Sequence, residues 1–347
     1  MVANKLILIT NFNSPFRGKS LQMTKKINGV RIQTPARLHL SLIDLNGELG
    51  RIDGGIGVAI AKPNWIINIS KHPSWKTPQG INEHLKKLQQ KMQLTQKYKI
   101  TIESELPEHV GLGSQTQLAL ALSHGLSILE GLNHTTYELA SLVSRGGTSG
   151  IGIAAYDGGG FILDCGHSKK IKPNFLPSHF STVKPAALVS RLEVPKDWYF
   201  VVAIPDIGIG KHGAEEAKIF NEYCPIPSTD VEKLSRIILM QVLPSIIEND
   251  IDQFGSGLNK IQSIGFKRIE NELQNEFITQ LQKFFLAQGA TGTGLSSFGP
   301  ATFSVIQSEV AARNLTKNAK EYLKQHGYAG TVFYTQANNK GAEVTTF

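Results

Sequence analysis

The segment over 106–117 has the residue types that bind phosphate. It contains Gly111, Gly113 and Ser114, it follows a β-rich run, and an apolar-periodic run over 114–132 comes directly after it. This pattern predicts a strand, a tight loop and a long helix. Backbone N–H groups at a helix N-terminus lack partners and lie at the positive end of the helix dipole, so such a loop can hold a phosphate group. Ser114 would either cap the helix or donate to a phosphate oxygen. No Gly-Lys-Ser/Thr follows, so the loop is not of the Walker type.

Two further segments are rich in glycine, over 146–152 and 289–294. The first carries too much glycine for an ordinary connector, and the second precedes a predicted strand. Three glycine-bearing loops in one chain are a more specific signal than any one of them.

Side chains that could act as acid, base or ligand stand elsewhere in the chain. Arg37 and His39 alternate on a predicted strand, so they point to one face, and an imidazole titrates near neutral pH. His212 and Glu215 stand where a helix is predicted to begin. The helix dipole alone would favour an acid there; the alternative is a base or metal ligand that reaches the cleft from the second half of the chain.

Asp44 and Asp53 bracket a predicted turn at Asn46-Gly47. Aspartates commonly cap the backbone at turns; the functional alternative is that these two bind a metal ion or ribose hydroxyls. Three histidines in polar segments are predicted to be solvated: His72, His167 and His179.

Composition limits the class of protein. A length of 347 residues suggests two domains, and 41% hydrophobic with 18% charged residues is typical of a globular protein with a sizeable core. The formal net charge of +8 suits an anionic substrate and would equally suit nucleic acid. Cys165 and Cys224 are far apart and show no metal-ligand spacing, which favours a reduced cytoplasmic compartment. No run reaches the ~18 apolar residues of a membrane span.

The elements that must position these residues follow an α+β pattern. Strands are predicted over 30–34, 38–43, 56–60, 65–70, 98–106, 161–164, 198–204, 301–306 and 331–335. Helices are predicted over 81–94, 114–132, 137–144, 214–222, 230–248, 268–287 and 309–326. The aperiodic stretch from Lys169 to about Lys196 marks a junction between domains at 28–185 and 186–347. Residues 1–27 are basic, and they are either a disordered extension or a stretch upstream of a true start at Met23.

The order and spacing of the three loops resemble the GHMP superfamily of small-molecule kinases. The second motif of that superfamily reads Pro-x-x-x-Gly-Leu-Gly-Ser-Ser, which residues 107–114 match as far as the first serine, and 289–294 approximate its glycine-rich C-terminal motif. The resemblance covers most of the chain from about residue 30. It implies an N-terminal domain like domain 2 of ribosomal protein S5, a ferredoxin-like C-terminal domain, and an anionic ligand between them.

Two departures from this superfamily argue against phosphoryl transfer. In several of the kinases, Gly-Thr-x-Ser-Gly-x-Asp supplies an aspartate beside the substrate hydroxyl, whereas Gly152 stands at that position here and Gln115 replaces the second serine of the loop. Phosphoryl transfer depends on a residue that orients the nucleophile. Asp157 lies nearby and could substitute, so an ATP-dependent small-molecule kinase stays as the alternative.

A closer resemblance accounts for these departures. Residues 34–45, 50–57 and 145–152, with Gly159-Gly160-Phe161, resemble the β-ribofuranosylaminobenzene 5'-phosphate synthase family. That family joins phosphoribosyl pyrophosphate to 4-aminobenzoate or 4-hydroxybenzoate, releases CO2 and pyrophosphate, uses Mg²⁺ and serves methanopterin biosynthesis. The resemblance implies a decarboxylating pentosyltransferase and a homodimer, in which the phosphate loop of a kinase ancestor holds a sugar diphosphate.

This chemistry assigns roles to the candidate residues. Donors and Mg²⁺ must neutralise the leaving diphosphate, and the candidate phosphate contacts are Gly111, Gly113, Ser114, Gln115, Thr116, Gly146, Gly147, Ser149, Gly150 and Gly292. An arginine would hold the aromatic carboxylate and a base would help the ring substituent to donate electrons. The catalytic candidates are therefore Arg37, His39, His212 and Glu215. The metal ligands are left open, with Asp44 and Asp53 as candidates.

A third interpretation is a non-catalytic nucleic-acid binder, prompted by the net charge and the ribosomal-type fold. It is disfavoured because the positive charge is scattered and three phosphate-type loops would have no use. We expect a cytoplasmic enzyme without nucleic-acid or membrane partners, whose aromatic substrate and general base the sequence does not identify.

Overall fold

Three antiparallel sheets and the helices packed on them make up residues 27–177, 180–181, 183–208 and 213–347, which a computed structural model describes. The strands are β1 (Gly29–Gln33), β2 (Ala36–Asp44), β3 (Arg51–Ile60), β4 (Ile66–Lys71), β5 (Tyr98–Ser104), β6 (Phe161–Asp164), β7 (His167–Ser168), β8 (Leu188–Leu192), β9 (Trp198–Pro205), β10 (Gly292–Leu295), β11 (Thr302–Gln307), β12 (Gly330–Gln336) and β13 (Glu343–Thr346). The helices are α1 (Asn82–Met92), α2 (Ser114–Leu129), α3 (Thr136–Leu142), α4 (Ile151–Gly158), α5 (Ala214–Tyr223), α6 (Ser228–Ile237), α7 (Leu243–Glu248), α8 (Ile251–Ile261), α9 (Gly265–Glu272), α10 (Glu276–Ala287) and α11 (Glu309–Gln325). A π-helical segment, Ile238–Val242, joins α6 to α7.

One sheet pairs the first strand of the described residues with the last. The first sheet has the order β13-β1-β4-β5, the second β2-β3-β6-β8 with β7 on β3, and the third β10-β11-β9-β12. The last strand, β13, therefore pairs with the first, β1. Strand β8 pairs with β6 although it follows the predicted domain junction at residue 185. The α+β class and the GHMP-like architecture expected from the sequence are confirmed.

Strand β9 shows why the third sheet forms. Its alternate residues Phe200 and Val202 pack in one core cluster with Phe254 of α8, whereas Val201 packs in another cluster with Leu281 of α10. Helices thus cover both faces, and a strand buried on both faces needs a continuous apolar run rather than alternation.

Strand β3 and helix α2 carry the loops of interest. On β3, a Cβ at Gly57 would lie 2.3 Å from the Ile151 side chain, so the glycine lets α4 approach the sheet. Helix α2 is buried along most of its length and begins after Gly113, whose φ of +80° is a left-handed conformation that favours glycine.

Most of the predicted elements are confirmed within a few residues, and the exceptions have physical causes. The predicted helix over 268–287 is two helices, α9 and α10. Helices α4 and α8 were not predicted, and both are rich in glycine, which has low helix propensity; packing against β3 and β10 overrides this preference. The predicted extension over 1–27 lies, apart from Ile27, outside the described residues.

Candidate functional site

A cleft of about 420 Å³ brings together loops and side chains from both halves of the chain. The phosphate-type loop and the segment around Thr148 form one part of its wall. Arg37 and His39 on β2, residues of α5 and α9, and the loop over 297–299 form the rest. Arg37 and His39 share the face that their alternation predicted.

The phosphate-type loop is held by the second half of the chain. The Ser296 hydroxyl donates to the Gly111 carbonyl oxygen at 2.7 Å, and Arg37 Nη1 donates to the same oxygen. A Cβ at Gly111 would lie 2.1 Å from the Ser296 carbonyl oxygen, and one at Gly113 would lie 3.0 Å from Arg37 Cγ. Glycine at Gly111 therefore permits a backbone contact that a Cβ would block, and at Gly113 it avoids a tight contact with the Arg37 side chain.

Ser114 has a different role from the predicted ones. Its hydroxyl donates to the Leu106 carbonyl oxygen at 2.7 Å, so that hydrogen is not available to a phosphate oxygen, and Gly113 rather than Ser114 is the N-cap. The N-cap has no side chain, which leaves the first turn of α2 without a side-chain cap. Gln115 Oε1 pairs with His84 Nε2 at 3.1 Å, and Gln115 Nε2 donates to Glu108 at 2.7 Å.

Only part of the second glycine-rich segment reaches the cleft. Thr148 and Ser149 line it, whereas Gly146, Gly147 and Gly150 do not. The Gly150 N–H donates to Asp164 Oδ2 at 2.9 Å. Cβ atoms at Gly146 and Gly147 would lie 2.3 Å from Ile153 Cδ1 and 2.5 Å from Ser181 Oγ, respectively. These three glycines serve close packing behind the cleft, so the prediction that they contact phosphate is corrected.

A buried charged network supports Thr148 from behind. Asp53 accepts from Lys172 Nζ at 2.9 Å and pairs with His167 Nδ1 at 2.7 Å, and all three side chains are buried. Lys172 also donates to Thr148 Oγ1 at 3.0 Å. The Asp53 carboxylate is thus fully hydrogen-bonded away from the cleft. The prediction that His167 is solvated is wrong, because its ring forms a hydrogen bond with this buried carboxylate.

Asp44 follows the simpler of its two interpretations. Its Oδ1 accepts the N–H groups of Asn46 and Gly47 at 2.9 and 2.8 Å, which caps the turn. Neither Asp44 nor Asp53 lines the cleft. Within the described residues, no three His, Cys, Asp or Glu side chains are grouped to hold a metal ion by themselves.

The other part of the cleft carries a cluster of charged groups around Arg37. Burial lowers the pKa of Arg37 to about 10, although Glu270 and Glu216 oppose the shift. Burial, reinforced by Arg37 and Lys267, holds the pKa of His39 well below its usual range, so the imidazole is neutral. Burial and the nearby Glu270 raise the pKa of Glu216 to about 7.

Glu270 is held more firmly than Glu216. Lys267 forms an ion pair with Glu270, and Lys267 Nζ also donates to the Leu295 carbonyl oxygen at 3.1 Å. Burial raises the pKa of Glu270, and Lys267 opposes that shift. Lys267 and Glu270 are three residues apart on α9, a spacing that in sequence suggests an ordinary surface pair, so neither was predicted.

An aromatic wall adjoins these charges. Phe220, Phe266 and Phe298 line the cleft with Leu42 and belong to one core cluster. The rings of Phe220 and Phe266 are 4.8 Å apart, and those of Phe266 and Phe298 are 5.7 Å apart in a T-shaped arrangement. Such a wall suits a flat aromatic ligand. In sequence these phenylalanines look like core residues, and only the fold brings them to the wall of the cleft.

Several predicted site residues lie elsewhere. Glu215 is exposed and does not line the cleft; its neighbour Glu216 does, because one residue along a helix turns the side chain by about 100°. Gly292 is buried in β10, where its α-carbon packs against the Gly255 backbone, so 289–294 do not form a phosphate loop. The cleft is lined instead by 297–299. Asp157 pairs with Arg191 at 3.1 Å and is no substitute for a kinase aspartate in the cleft. His212 lies outside the described residues.

Comparisons with known proteins agree with this architecture. Residues 80–159 match the family described as GHMP kinases N terminal domain. A homoserine kinase from Cytophaga hutchinsonii superposes with a TM-score of 0.66 at 16% identity over 94% of this chain and 100% of its own. A mevalonate diphosphate decarboxylase from Staphylococcus aureus superposes with a TM-score of 0.57 at 12% identity over 92% of this chain and 98% of its own. At these identities the likeness shows the fold alone.

Two curated sequences are much more similar. Proteins named beta-ribofuranosylphenol 5'-phosphate synthase are 41% identical over 325 residues in Methanothermobacter thermautotrophicus and 40% identical over 319 residues in Archaeoglobus fulgidus. The matches cover 90% and 91% of this chain and 97% and 99% of those proteins.

No helix in the described part of the chain is long and apolar enough to cross a membrane.

Proposed function

The chain belongs to the beta-ribofuranosylphenol 5'-phosphate synthase family, and from that premise we propose that its cleft joins phosphoribosyl pyrophosphate to 4-hydroxybenzoate, with release of CO2 and pyrophosphate. The chain is accordingly a pentosyltransferase with a GHMP-kinase-like fold, and membership of this family favours transfer over the kinase alternative. The relatives' name specifies a ribosylated phenol, which makes 4-hydroxybenzoate a better first substrate than 4-aminobenzoate. The product enters tetrahydromethanopterin biosynthesis.

One observation carries this proposal: a phosphate-type loop, a buried arginine and an aromatic wall share a single cleft. A diphosphate on an activated ribose suits the loop at the N-terminus of α2, where backbone N–H groups and the helix dipole favour anions. A planar benzoate suits the wall formed by Phe266 and Phe298. Arg37 lies between the loop and the charged cluster of the cleft. It contacts Gly111 and Gly113, and burial lowers its pKa while the negative charges of Glu270 and Glu216 oppose that shift.

The reaction breaks two bonds and forms one. The bond between ribose C1 and the diphosphate oxygen breaks with oxocarbenium character at C1. The ring carbon that carries the carboxylate attacks C1, pushed by the oxygen para to it. The electron pair of the ring–carboxylate bond then restores aromaticity, and CO2 leaves. The hydroxyl proton is the one that a base must take and return.

Glu216 is the residue that we assign to this proton. It lines the cleft beside Phe220, one turn along α5, and its raised pKa of about 7 suits reversible proton transfer near neutral pH. Arg37 binds the aromatic carboxylate before it is lost. The backbone N–H of His39 donates to Ser296 Oγ at 3.0 Å, which fixes the residue in place. The imidazole of His39 is neutral and would form a hydrogen bond with the substrate.

Magnesium fits this cleft as an ion carried by the substrate. Mg²⁺ commonly binds through substrate phosphates, water and one or two protein oxygens rather than in an all-protein cage, so the proposal does not require a three-ligand cluster, and the described residues contain none. Thr116 and Ser149 are two of the hydroxyl side chains that line the cleft, and they would contact the ion. When bound, the ion would neutralise charge on the leaving diphosphate. A homodimer and a cytoplasmic location complete the proposal and are supported by the family resemblance.

The experiment is a double-product assay. The purified protein is incubated with Mg²⁺, phosphoribosyl pyrophosphate and carboxyl-labelled 4-hydroxybenzoate, and labelled CO2 and pyrophosphate are measured together. We expect equal amounts of both, with 4-aminobenzoate as the comparison substrate. Release of no CO2 from either acid, or ADP formation from ATP and a metabolite alcohol, would contradict the proposal.

A further inference from the structure

Arg145 carries a charge that the described part of the fold does not neutralise. Its side chain is partly buried, and burial lowers the pKa of the guanidinium. No hydrogen bond or ion pair joins that guanidinium to another described residue, although its backbone N–H donates to the Ala140 carbonyl oxygen at 2.9 Å. Desolvating a guanidinium without a partner costs free energy, so an anionic ligand that pairs with it would recover that cost.

The position of Arg145 suggests which ligand this is. It lines the main cleft with Thr148 and Ser149, and it also lines a second cavity of about 320 Å³ with His84 and Lys87. Lys91 is at the edge of the second cavity, where its Nζ donates to the Leu142 carbonyl oxygen. The second cavity is therefore lined by three cationic side chains, those of Arg145, Lys87 and Lys91.

His84 connects this cationic group to the phosphate-type loop. Its Nε2 pairs with Gln115 Oε1 at 3.1 Å. His84, Arg145 and Lys87 line the same cavity, and burial, with the charges of Arg145 and Lys87, lowers the pKa of His84. Glu108 is the carboxylate on this side, and it already accepts from Gln115 Nε2 at 2.7 Å.

A sugar diphosphate has two anionic ends, one on each side of the ribose ring. C1 must face the aromatic wall, and Arg37 marks that side by contacting the loop at Gly111 and Gly113. The second cavity approaches the loop from another side, through His84, which lines that cavity and pairs with Gln115. Given the proposed function, on which this subsite depends, we propose that Arg145, assisted by His84 and Lys87, binds the 5'-phosphate of the sugar while the loop at Gly111–Gly113 holds the diphosphate.

Two fragments of the substrate separate the two subsites. Ribose 5-phosphate carries only the 5'-phosphate, and pyrophosphate carries only the diphosphate. Calorimetry on the full chain with Mg²⁺ should show that Arg145→Gln weakens ribose 5-phosphate binding by about tenfold or more, because a charged hydrogen bond is lost, and leaves pyrophosphate affinity within about twofold. Gly113→Ala should show the reverse pattern, because a Cβ there meets Arg37 and the φ is left-handed.

Three further variants complete the experiment. Arg145→Lys should retain part of the affinity, and the pair His84→Gln with Lys87→Gln tests the same subsite if Arg145→Gln does not fold. Lys99→Gln removes an exposed positive charge on β5 and should change neither affinity. Wild-type ribose 5-phosphate binding in Arg145→Gln, or an equal loss in Lys99→Gln, would overturn the subsite.

Failure of the subsite and failure of the proposed function give different results. A wild-type protein that releases CO2, while Arg145→Gln binds ribose 5-phosphate normally, removes the subsite alone. A wild-type protein that binds both fragments in the expected pattern but releases no CO2 removes the proposed reaction and leaves the subsite.

Discussion

The ammonium group of Lys172 lies 2.9 Å from the carboxylate of Asp53, and both side chains are buried behind the cleft. Lys172 reaches further to Thr148 Oγ1 at 3.0 Å and to the Leu176 carbonyl oxygen at 2.9 Å. Asp53 has a φ of +67°, an uncommon backbone conformation for a residue other than glycine. This ion pair holds the segment that brings Thr148 and Ser149 to the cleft.

Lys172→Met should therefore weaken both the fold and the cleft. It leaves the Asp53 carboxylate buried without its ammonium partner, with the hydrogen bond to His167 remaining, and breaking a buried ion pair costs about 3–5 kcal/mol of unfolding free energy. Urea unfolding measures the loss, and the KM for phosphoribosyl pyrophosphate should rise because Thr148 loses its support. The double variant Lys172→Met with Asp53→Asn should regain much of the lost stability, because it also removes the buried carboxylate charge and asparagine tolerates a positive φ. Lys170→Met, at an exposed lysine, is the control, and equal losses in the two single variants would contradict the role of Lys172.

The proton role of Glu216 predicts a pH profile. Burial and Glu270 raise the pKa of Glu216 from 4.5 to about 7, so below about pH 6 the carboxyl is mostly protonated and cannot act as a base. The ratio kcat/KM should therefore rise as the pH passes through about 7, where the carboxylate forms. Glu216→Gln should lower kcat by about 10²–10⁴-fold and abolish the rise. Glu222→Gln, at an exposed position on the same helix, should keep it; an unchanged profile in Glu216→Gln would exclude Glu216 as the base.

The aromatic wall predicts a selective effect of Phe266→Leu. Loss of ring contacts should raise the KM for the aromatic acid by about threefold to tenfold and leave pyrophosphate affinity unchanged. Phe285→Leu is a matched control, because Phe285 is equally buried but belongs to a different core cluster. Each substitution should cost about 1–2 kcal/mol of stability. If both variants change the KM alike, general loosening of the fold explains the effect and the wall does not bind the ring.

The carboxylate role of Arg37 predicts that Arg37→Ala raises the KM for the aromatic acid more than any other constant. The reason is that a bidentate guanidinium–carboxylate pair is lost from a buried site. Arg37→Lys should recover little, because an ammonium cannot form the two parallel hydrogen bonds. Arg31→Ala, which breaks an exposed pair with Glu103, is the control. An unchanged KM for the acid in Arg37→Ala would remove this role.

The sequence by itself determined the α+β class, most elements, the phosphate-type loop and the shared face of Arg37 and His39. Each of these depends on local patterns, namely apolar periodicity, glycine at a turn, and alternation along a strand. The resemblance carried by these segments was enough to identify the family, which the comparisons confirm.

Only the tertiary structure decided which of the candidates line the cleft. The orientation of α5 turns Glu216, and not Glu215, toward the cleft. Asp53 lies in a buried network with Lys172, which is 119 residues away in the sequence. The tertiary structure also moved the third glycine-rich segment into β10 and brought Phe298 to the cleft in its place. These outcomes depend on contacts between distant parts of the chain, and a local pattern does not specify which distant segment a given side chain will meet.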